Sequence, residues 1–327
     1  MTNSRLLTFC IPAYNAASTI EKTLLSLLSQ NYAPIKIKIF NNASTDTTIE
    51  ICQKLASQNQ NIEIITSNNT VVAEDNFTKC IQGAEGEYCC IAHTDDIYDP
   101  EFAHKAIELL EKDSTAVATF CHAFEIDASE QIIGTRFFPN ELSSSESQSL
   151  DHNTFHELIY NYGNFVTCPS VVFRSEVLKN QIKIWDGAHF KTSADLDVWI
   201  RLSQIGNLIA INMPLIKYRV AEASYSFRIA KRRITKHDIF LVLEKYKDTN
   251  VLDKLNFLLL KDQAIRRLNM MRNHIRNQDF PAEVSFDFTL LLKKLFRSKW
   301  HFKYSLSIIG IYFISELLHL IGWNKDE

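Results

Sequence analysis

The sequence predicts an α/β fold: a doubly wound, mostly parallel sheet flanked by helices, followed by a helical, basic C-terminal extension. Three observations predict it. Short apolar runs alternate with stretches of helical periodicity through roughly the first hundred residues, the pattern of a sheet wound through crossover helices. The 327 residues are 46% hydrophobic, which suits one large domain with an extension, or two domains. Charge is divided unevenly, with 16 Lys/Arg against 27 Asp/Glu in residues 1–227, a net of −11. Residues 228–303 reverse this, with 18 against 8, a net of +10.

The elements follow in order. "RLLTFCIP" (5–12) is an apolar run closed by Pro12, as a buried strand would be. Ser18 and Glu21 have capping-box spacing, and Ile20, Leu24, Leu27 and Leu28 recur at helical intervals. "IKIKIF" (35–40) alternates strictly, as a strand does. Thr47 and Glu50 mark a second helix start, with Ile51, Cys52 and Leu55 on its inner face. "IEIIT" (62–66) reads as a third strand, 72–83 as a helix and "EYCCIA" (87–92) as a fourth strand. Farther on, "AVATFCHAFEI" (116–126) and "SVVFRSEVL" (170–178) read as strand material, with a serine-rich loop at 143–149 between them. Helices are expected at 193–206, 237–247 and 252–276.

Composition excludes several chemistries. The eight glycines include no Gly-x-Gly and no Gly-Lys, so neither a dinucleotide fingerprint nor a P-loop is present. A hydrolase elbow, Gly-x-Ser-x-Gly, is also missing. Seven cysteines without paired spacing, behind an N-terminus with no apolar leader, read as free thiols in a reducing cytoplasm. His152 and His156 stand four apart but have no convincingly spaced carboxylate partner. The Arg232-Arg233 cluster lacks interleaved aromatics, so no nucleic-acid partner is expected.

In a doubly wound sheet the ligand lies beyond the carboxyl ends of the strands. Those ends are polar here: Pro12-Ala13-Tyr14-Asn15, Asn41-Asn42-Ala43-Ser44-Thr45-Asp46, Thr66-Ser67-Asn68-Asn69 and His93-Thr94-Asp95-Asp96. Two adjacent acids after an apolar strand repel each other unless something positive sits between or beside them. The ordered set Pro12-x-Tyr14-Asn15, Asn-Ala-Ser-Thr-Asp (42–46), Gly86-Glu87-Tyr88 and Asp95-Asp96-Ile97-Tyr98 resembles glycosyltransferase family 2. The similarity continues through "CPSVVFRSEVL" (168–178), "ADLDVWIRL" (194–202) and Tyr218-Arg219, and so covers roughly residues 5–226.

That resemblance implies an inverting, metal-dependent enzyme of the GT-A fold, which moves a sugar from a nucleoside-diphosphate donor to an acceptor hydroxyl. It implies a catalytic domain at 1–226, with a nucleotide-sugar half to about 115 and an acceptor half beyond it, and a helical extension at 227–327. Asp95 matches the second acid of the family's Asp-x-Asp motif and is the implied ligand of Mn²⁺ or Mg²⁺. Asp96 would support the site or touch the ribose or sugar. Pro12, Tyr14, Asn15, Asn41, Ser44 and Asn76 are the implied donor-binding residues. Asp195 falls on the family's catalytic base, helix capping with a larger role for Asp197 being the alternative. Asp197, Trp199, Arg201 and Arg219 would shape or brace the acceptor side.

Three positions depart from the family pattern. Asn41 stands where an acid is common, His93 where the first acid of the metal motif stands, and Ala221 where a histidine is frequent. They motivate a rival reading as a non-catalytic nucleotide-sugar-binding protein. A second rival, a sugar nucleotidyltransferase, would need a glycine-rich phosphate loop after the first strand, and "IPAYNAAS" contains no glycine.

The segment 293–323 combines Lys293, Lys294, Arg297, Lys299 and Lys303 with an apolar stretch and with Trp300 and Trp323 near its ends. Glu316 and His319 interrupt the apolar part, so it falls short of a span of roughly 20 residues. It reads either as a helix lying on an anionic membrane surface or as one packed on protein. Family analogy implies bacterial surface polysaccharide or lipopolysaccharide synthesis, with a saccharide or lipid-linked acceptor met at the inner face of the cytoplasmic membrane.

Overall fold

A computed structural model describes residues 5–143, 145–220, 235–274, 309–310 and 313–314. The chain divides into two compact units, Met1–Ala221 and Glu222–Glu327. The first opens with β1 (Leu7–Ala13), α1 (Ile20–Leu28), β2 (Ile35–Asn41), α2 (Thr48–Ala56), β3 (Ile62–Thr66), α3 (Ala73–Gly83) and β4 (Tyr88–Ile91). Consecutive strands are each joined through a helix, and the parallel pairings give the order β3-β2-β1-β4. This is the alternation read from the sequence, and it brings the four polar strand ends to one edge.

Local details differ from the sequence reading for identifiable reasons. β1 does not stop at Pro12 but runs through it, pairing Pro12 with Phe40 and Ala13 with Asn41. Cys10 O accepts from Ala92 N on the β4 side, and a strand repeats every two residues, so Pro12 faces that same side. Its β4 neighbour has ended by then, the pairing closing at Cys10 with Ile91, so the missing N–H leaves no ladder gap. The two capping-box spacings do not act as caps. Thr19 and Thr47 occupy the N-cap positions without a side-chain cap bond. At α2 the first turn is held instead by Asp46, whose Oδ1 accepts from Thr48 N at 3.0 Å.

The chain continues with β5 (Ile97–Tyr98), α4 (Phe102–Lys112), β6 (Ala116–Ile126), β7 (Ile132–Arg136), β8 (Ser147–Leu150) and α5 (His152–Tyr162). Then come β9 (Val172–Arg174), α6 (Ser175–Val177), α7 (Gly187–Phe190), α8 (Ala194–Ile205) and β10 (Asn207–Arg219). The sheet extends as β3-β2-β1-β4-β9-β6-β10-β5, with β7 on β6 and β8 on β10. Beyond β4 it is mixed: β9 is antiparallel to β4 and β6, while β10 runs parallel to β6 and antiparallel to β8 and β5.

Two sequence expectations are corrected here. The serine-rich stretch 143–149 is not all loop, because Ser147–Leu150 pairs with β10. Within 170–178 only three residues are strand, and the rest turns helical at Ser175. The thirteen-residue β10 had no expectation at all, although its first half, "NLIAI", is apolar.

The core lies between the sheet and its helices, with Phe9, Tyr98 and Phe102 fully buried and their rings meeting at 5.1–6.4 Å. All seven cysteines are free thiols, six of them buried. In the second unit the described helices are α9 (Ile239–Tyr246) and α10 (Leu252–His274). Among the described residues no helix is long and apolar enough to cross a membrane. Ala221, the Arg232-Arg233 cluster and the basic, apolar segment 293–323, apart from four of its residues, lie outside the described residues.

Candidate active site

The ends of β1 and β2 are stitched into one rim. Asn15 N donates to Ser44 Oγ at 3.1 Å, and Asn15 Oδ1 accepts from Thr45 N at 2.8 Å. Asn41, buried at the end of β2, accepts from Ser44 N at 3.1 Å. Two non-glycine residues here, Asn15 (φ 47°) and Ala43 (φ 54°), adopt left-handed backbone, which these side-chain bonds help to hold. Behind the rim, Asp46 accepts from Ala17 N and Thr48 N. Desolvation opposes it although the residue is exposed, but hydrogen bonds from the Thr48 hydroxyl and these N–H groups hold its carboxyl below the usual range.

Tyr14 projects from this rim half in solvent, at 51% exposure, so its ring face is open. Asn76 of α3 is buried and donates to Phe40 O at 2.9 Å, while its Oδ1 has no hydrogen-bond partner.

At the end of β4 the acid pair is held from beneath. Arg219, buried at the end of β10, donates through its backbone N–H to Asp96 Oδ1 at 2.9 Å. Its guanidinium donates to Asp95 O at 3.0 Å and Asp127 O at 2.9 Å. Thr23 of α1 donates to Asp96 O at 2.8 Å. His93 Nδ1 stands 3.8 Å from Asp96 Oδ2. Ligand-capable atoms of His93, Asp95 and Asp96 all lie within 4.8 Å of one another.

This cluster fits a cation. Two of its polar atoms, His93 Nε2 and Asp96 Oδ2, are buried without a hydrogen-bond partner, which is costly unless a ligand completes them. Burial, reinforced by the charge of Asp95, pushes Asp96 well up, although the Arg219 N–H pulls the other way. Burial likewise lowers His93 against the pull of Asp95, favouring a neutral ring with a free lone pair. An added positive charge would relieve both acids.

Asp195 sits in the first turn of α8. Asn164 Nδ2 donates to its Oδ2 at 2.8 Å, and Leu196 N donates to its Oδ1 at 2.7 Å. Burial nevertheless lifts the carboxyl to about 6. That is the range in which a carboxylate accepts a proton effectively near neutral pH. Asp195 and Asp96 of the acid pair both act on Cys168. Burial drives the Cys168 thiol well up, and the charges of Asp195, Cys90 and Asp96 add to it. The Tyr218 phenol is pushed up to about 12, first by burial and then by Asp96 and Asp95 against Arg136. Asp96 is thus within electrostatic reach of the same half-buried thiol as Asp195, though the two lie far apart in sequence.

The remaining sequence candidates on α8 turn inward. Asp197 is buried and accepts from Arg201 Nε at 2.7 Å, one helical turn on. Arg201 also donates to the carbonyls of Ile182 at 2.8 Å and Ile184 at 3.0 Å. Trp199 is buried, stacking on Phe173 at 5.9 Å and meeting Trp185 edge-on at 5.8 Å. These three brace α8 and the 182–184 segment from inside.

Sequence reasoning missed Asn164 and Arg136. Arg136 lies over the Tyr218 ring at 4.1 Å and is among the charges felt by Asp96. Neither residue lies in a periodic or motif-like stretch, so only the fold reveals them.

Residues 8–179 match the family described as Glycosyl transferase family 2, and the chain belongs to that family. It is a glycosyltransferase, and its architecture is of the GT-A type. It is 24% identical, over 70% of its length and 83% of the relative's, to the Escherichia coli UDP-Glc:alpha-D-GlcNAc-diphosphoundecaprenol beta-1,3-glucosyltransferase WfgD. Over 98% of its length it is 22% identical to the hyaluronan synthase of Pasteurella multocida, of which it spans 31%. Among solved structures it resembles the mannosyltransferase PcManGT of Pyrobaculum calidifontis in complex with GDP-Man and Mn²⁺. There the TM-score is 0.56 at 14% identity, covering 96% of this chain and 86% of that one.

Proposed function

We propose that this chain is an inverting, metal-dependent transferase that moves a sugar from a nucleoside-diphosphate sugar to an acceptor hydroxyl. The observation that carries the reading is the Asp195 carboxyl, lifted to about 6 and acting on the same half-buried thiol, Cys168, as Asp96 of the cation-ready acid pair. His93, Asp95 and Asp96 would hold Mn²⁺ or Mg²⁺, oxygen-loving ions suited to carboxylates and phosphates. When bound, that ion supplies positive charge for the departing diphosphate. The P. calidifontis neighbour was solved with GDP-Man and Mn²⁺, which supports this choice.

In the proposed step the acceptor oxygen attacks the anomeric carbon from the face opposite the diphosphate. The carbon–oxygen bond to the diphosphate breaks and its electron pair leaves with that oxygen, while the hydroxyl proton passes to Asp195. The rim of Pro12, Tyr14, Asn15, Asn41 and Ser44 is the proposed seat of the nucleoside, with the open Tyr14 ring offering a stacking face. Asn76, whose Oδ1 has no partner, lies behind it on the donor side. Arg219 acts as a support of the acid pair; Asp197, Trp199 and Arg201 hold α8 so that Asp195 stays placed.

The proposed setting is bacterial surface polysaccharide synthesis, with lipopolysaccharide as one product class. The E. coli relative's name gives it a diphosphoundecaprenol-linked acceptor, which makes a lipid-linked saccharide a natural acceptor here. The enzyme is proposed to work in the cytoplasm, with segment 293–323 meeting the anionic inner face of the membrane.

Asp195→Asn tests the mechanism. A thermal-shift screen of nucleotide sugars with and without Mn²⁺ identifies the donor as the compound that stabilises the protein when metal is present. The variant keeps that shift and loses transfer by about 10²–10⁴-fold. Undiminished transfer by the variant removes Asp195 from the chemistry.

A further inference from the structure

A cavity of about 590 Å³ opens beside the catalytic groups, walled by the segment after β7 and the loop after α5. Two of its lining residues tie it to the chemistry. Asn164 donates to Asp195 at 2.8 Å, and Arg136 lies 4.1 Å over Tyr218, whose phenol senses Asp95 and Asp96. Two others are aromatic rings left in the open. Phe137 is 74% exposed and Tyr162 38%, so both present ring surface to solvent at the cavity. Both rings are oriented in advance: Phe137 meets His122 edge-on at 5.6 Å, and the Tyr162 hydroxyl donates to Glu141.

Charge narrows the ligand further. Among the described residues lining the cavity the charged ones are Glu125 and Arg136, and they neutralise each other at 2.9 Å. The wall therefore offers aromatic faces, hydroxyls and amides with no surplus cation for an acidic group. A pyranose ring has that combination: one face of C–H groups to lie on an aromatic ring and a rim of hydroxyls to hydrogen-bond.

We infer that this cavity is the cradle for an uncharged saccharide of the acceptor, its ring resting on Phe137 and Tyr162 and a hydroxyl directed past Asn164 to Asp195. The inference rests on the glycosyltransfer reading of Asp195 and adds the class of acceptor and the residues that select it. Acidic sugars are disfavoured because the pairing of Arg136 with Glu125 leaves no free charge to receive them.

Saturation-transfer NMR on the full chain tests it, with three probes: methyl β-D-glucopyranoside, methyl N-acetyl-β-D-glucosaminide and methyl β-D-glucuronide. At least one neutral glycoside receives saturation, and the glucuronide binds more weakly. Phe137→Ala and Tyr162→Ala each weaken the neutral probe about tenfold, whereas Phe137→Trp retains it. Because the Phe137 ring stands in solvent, its truncation leaves the melting temperature unchanged, so lost binding is not lost folding. Failure of both neutral probes to bind, equal binding in the alanine variants, or tightest binding of the glucuronide would each overturn the cradle. Asp195→Asn separates the two claims. If it abolishes transfer while the alanine variants bind normally, only the cradle fails; if it still transfers sugar, the mechanism fails and the saccharide site stands on its NMR result.

Discussion

At the scale of single residues, Asp195 is costly to keep. Its ordinary carboxyl value is 3.8 and its folded value about 6, so the folded state binds the proton more tightly than the unfolded state. The sign follows: stability is fullest below about pH 4 and is lost as pH rises through 6, a penalty on the order of 2–3 kcal/mol. Asp195→Asn removes the ionisation, so the variant melts higher than wild type at pH 8, with the gap closing toward pH 4. Calorimetry across that range checks it. With Asp195 as the proposed base, activity is expected to have the opposite dependence, since a base must be ionised: kcat/KM falls below an apparent value near 6 and the variant has no such limb. Under that proposal stability and turnover trade against each other at one side chain. Arg219 shows a different kind of dependence. It supplies the Asp95 and Asp127 carbonyls with donors from a buried position. Arg219→Leu leaves both without that partner and is expected to cost about 2–4 kcal/mol by denaturant unfolding. It should also weaken any Mn²⁺-dependent thermal shift, because the turn carrying Asp95 is no longer held.

At the scale of elements, the strand ends gather the proposed site residues because each helix return places a polar turn on the same edge. The turn into β4 shows how tightly this is specified. Gly86 has φ 72°, and a Cβ added there would stand 2.5 Å from Leu6 O on the strand entering β1. Gly86→Ala is therefore strained twice, by backbone conformation and by collision, and should destabilise by about 1–3 kcal/mol in a melting experiment. The Gly86-Glu87-Tyr88 stretch was visible in the sequence as part of a motif, and this geometry supplies a physical reason for its glycine. The capping boxes teach the reverse. Ser18/Glu21 and Thr47/Glu50 have the right spacing, yet α2 is held by Asp46, which is also engaged with the β1 end through Ala17. A different local bond, from an acid that is also tied to a distant segment, replaced the capping box. Pro12 likewise looked like a strand terminator, and only the early end of β4 makes it admissible inside β1.

At the scale of the molecule, the two units differ in charge as the sequence indicated, the acidic one carrying the site and the basic one following it. If segment 293–323 meets an anionic surface, deleting residues 293–327 abolishes co-sedimentation with vesicles containing anionic lipid, and added salt weakens the wild-type interaction. Unchanged sedimentation of the truncated protein would assign binding elsewhere. Periodicity alone placed β1 to β4 and their helices, because each strand alternates with a helix and buries its own apolar run. The resemblance to glycosyltransferase family 2 marked Asp95, Asp96 and Asp195 as a set. The second half was harder to read: β9 is three residues long, β8 is hidden in a serine-rich stretch, and β10 is bulged against β6. Such strands owe their existence to neighbours contributed from distant parts of the chain, so no local pattern announces them. The same holds for Asn164, Arg136 and the exposed Phe137, which acquire meaning only where they meet Asp195, Tyr218 and a cavity. The sequence by itself determined the wound parallel half, the polar edge and the family of chemistry, since these depend on short-range pattern and residue type. Tertiary structure alone decided which acids are buried, how far burial lifts Asp195, and what surrounds it, because desolvation and charge coupling depend on distances between residues far apart along the chain.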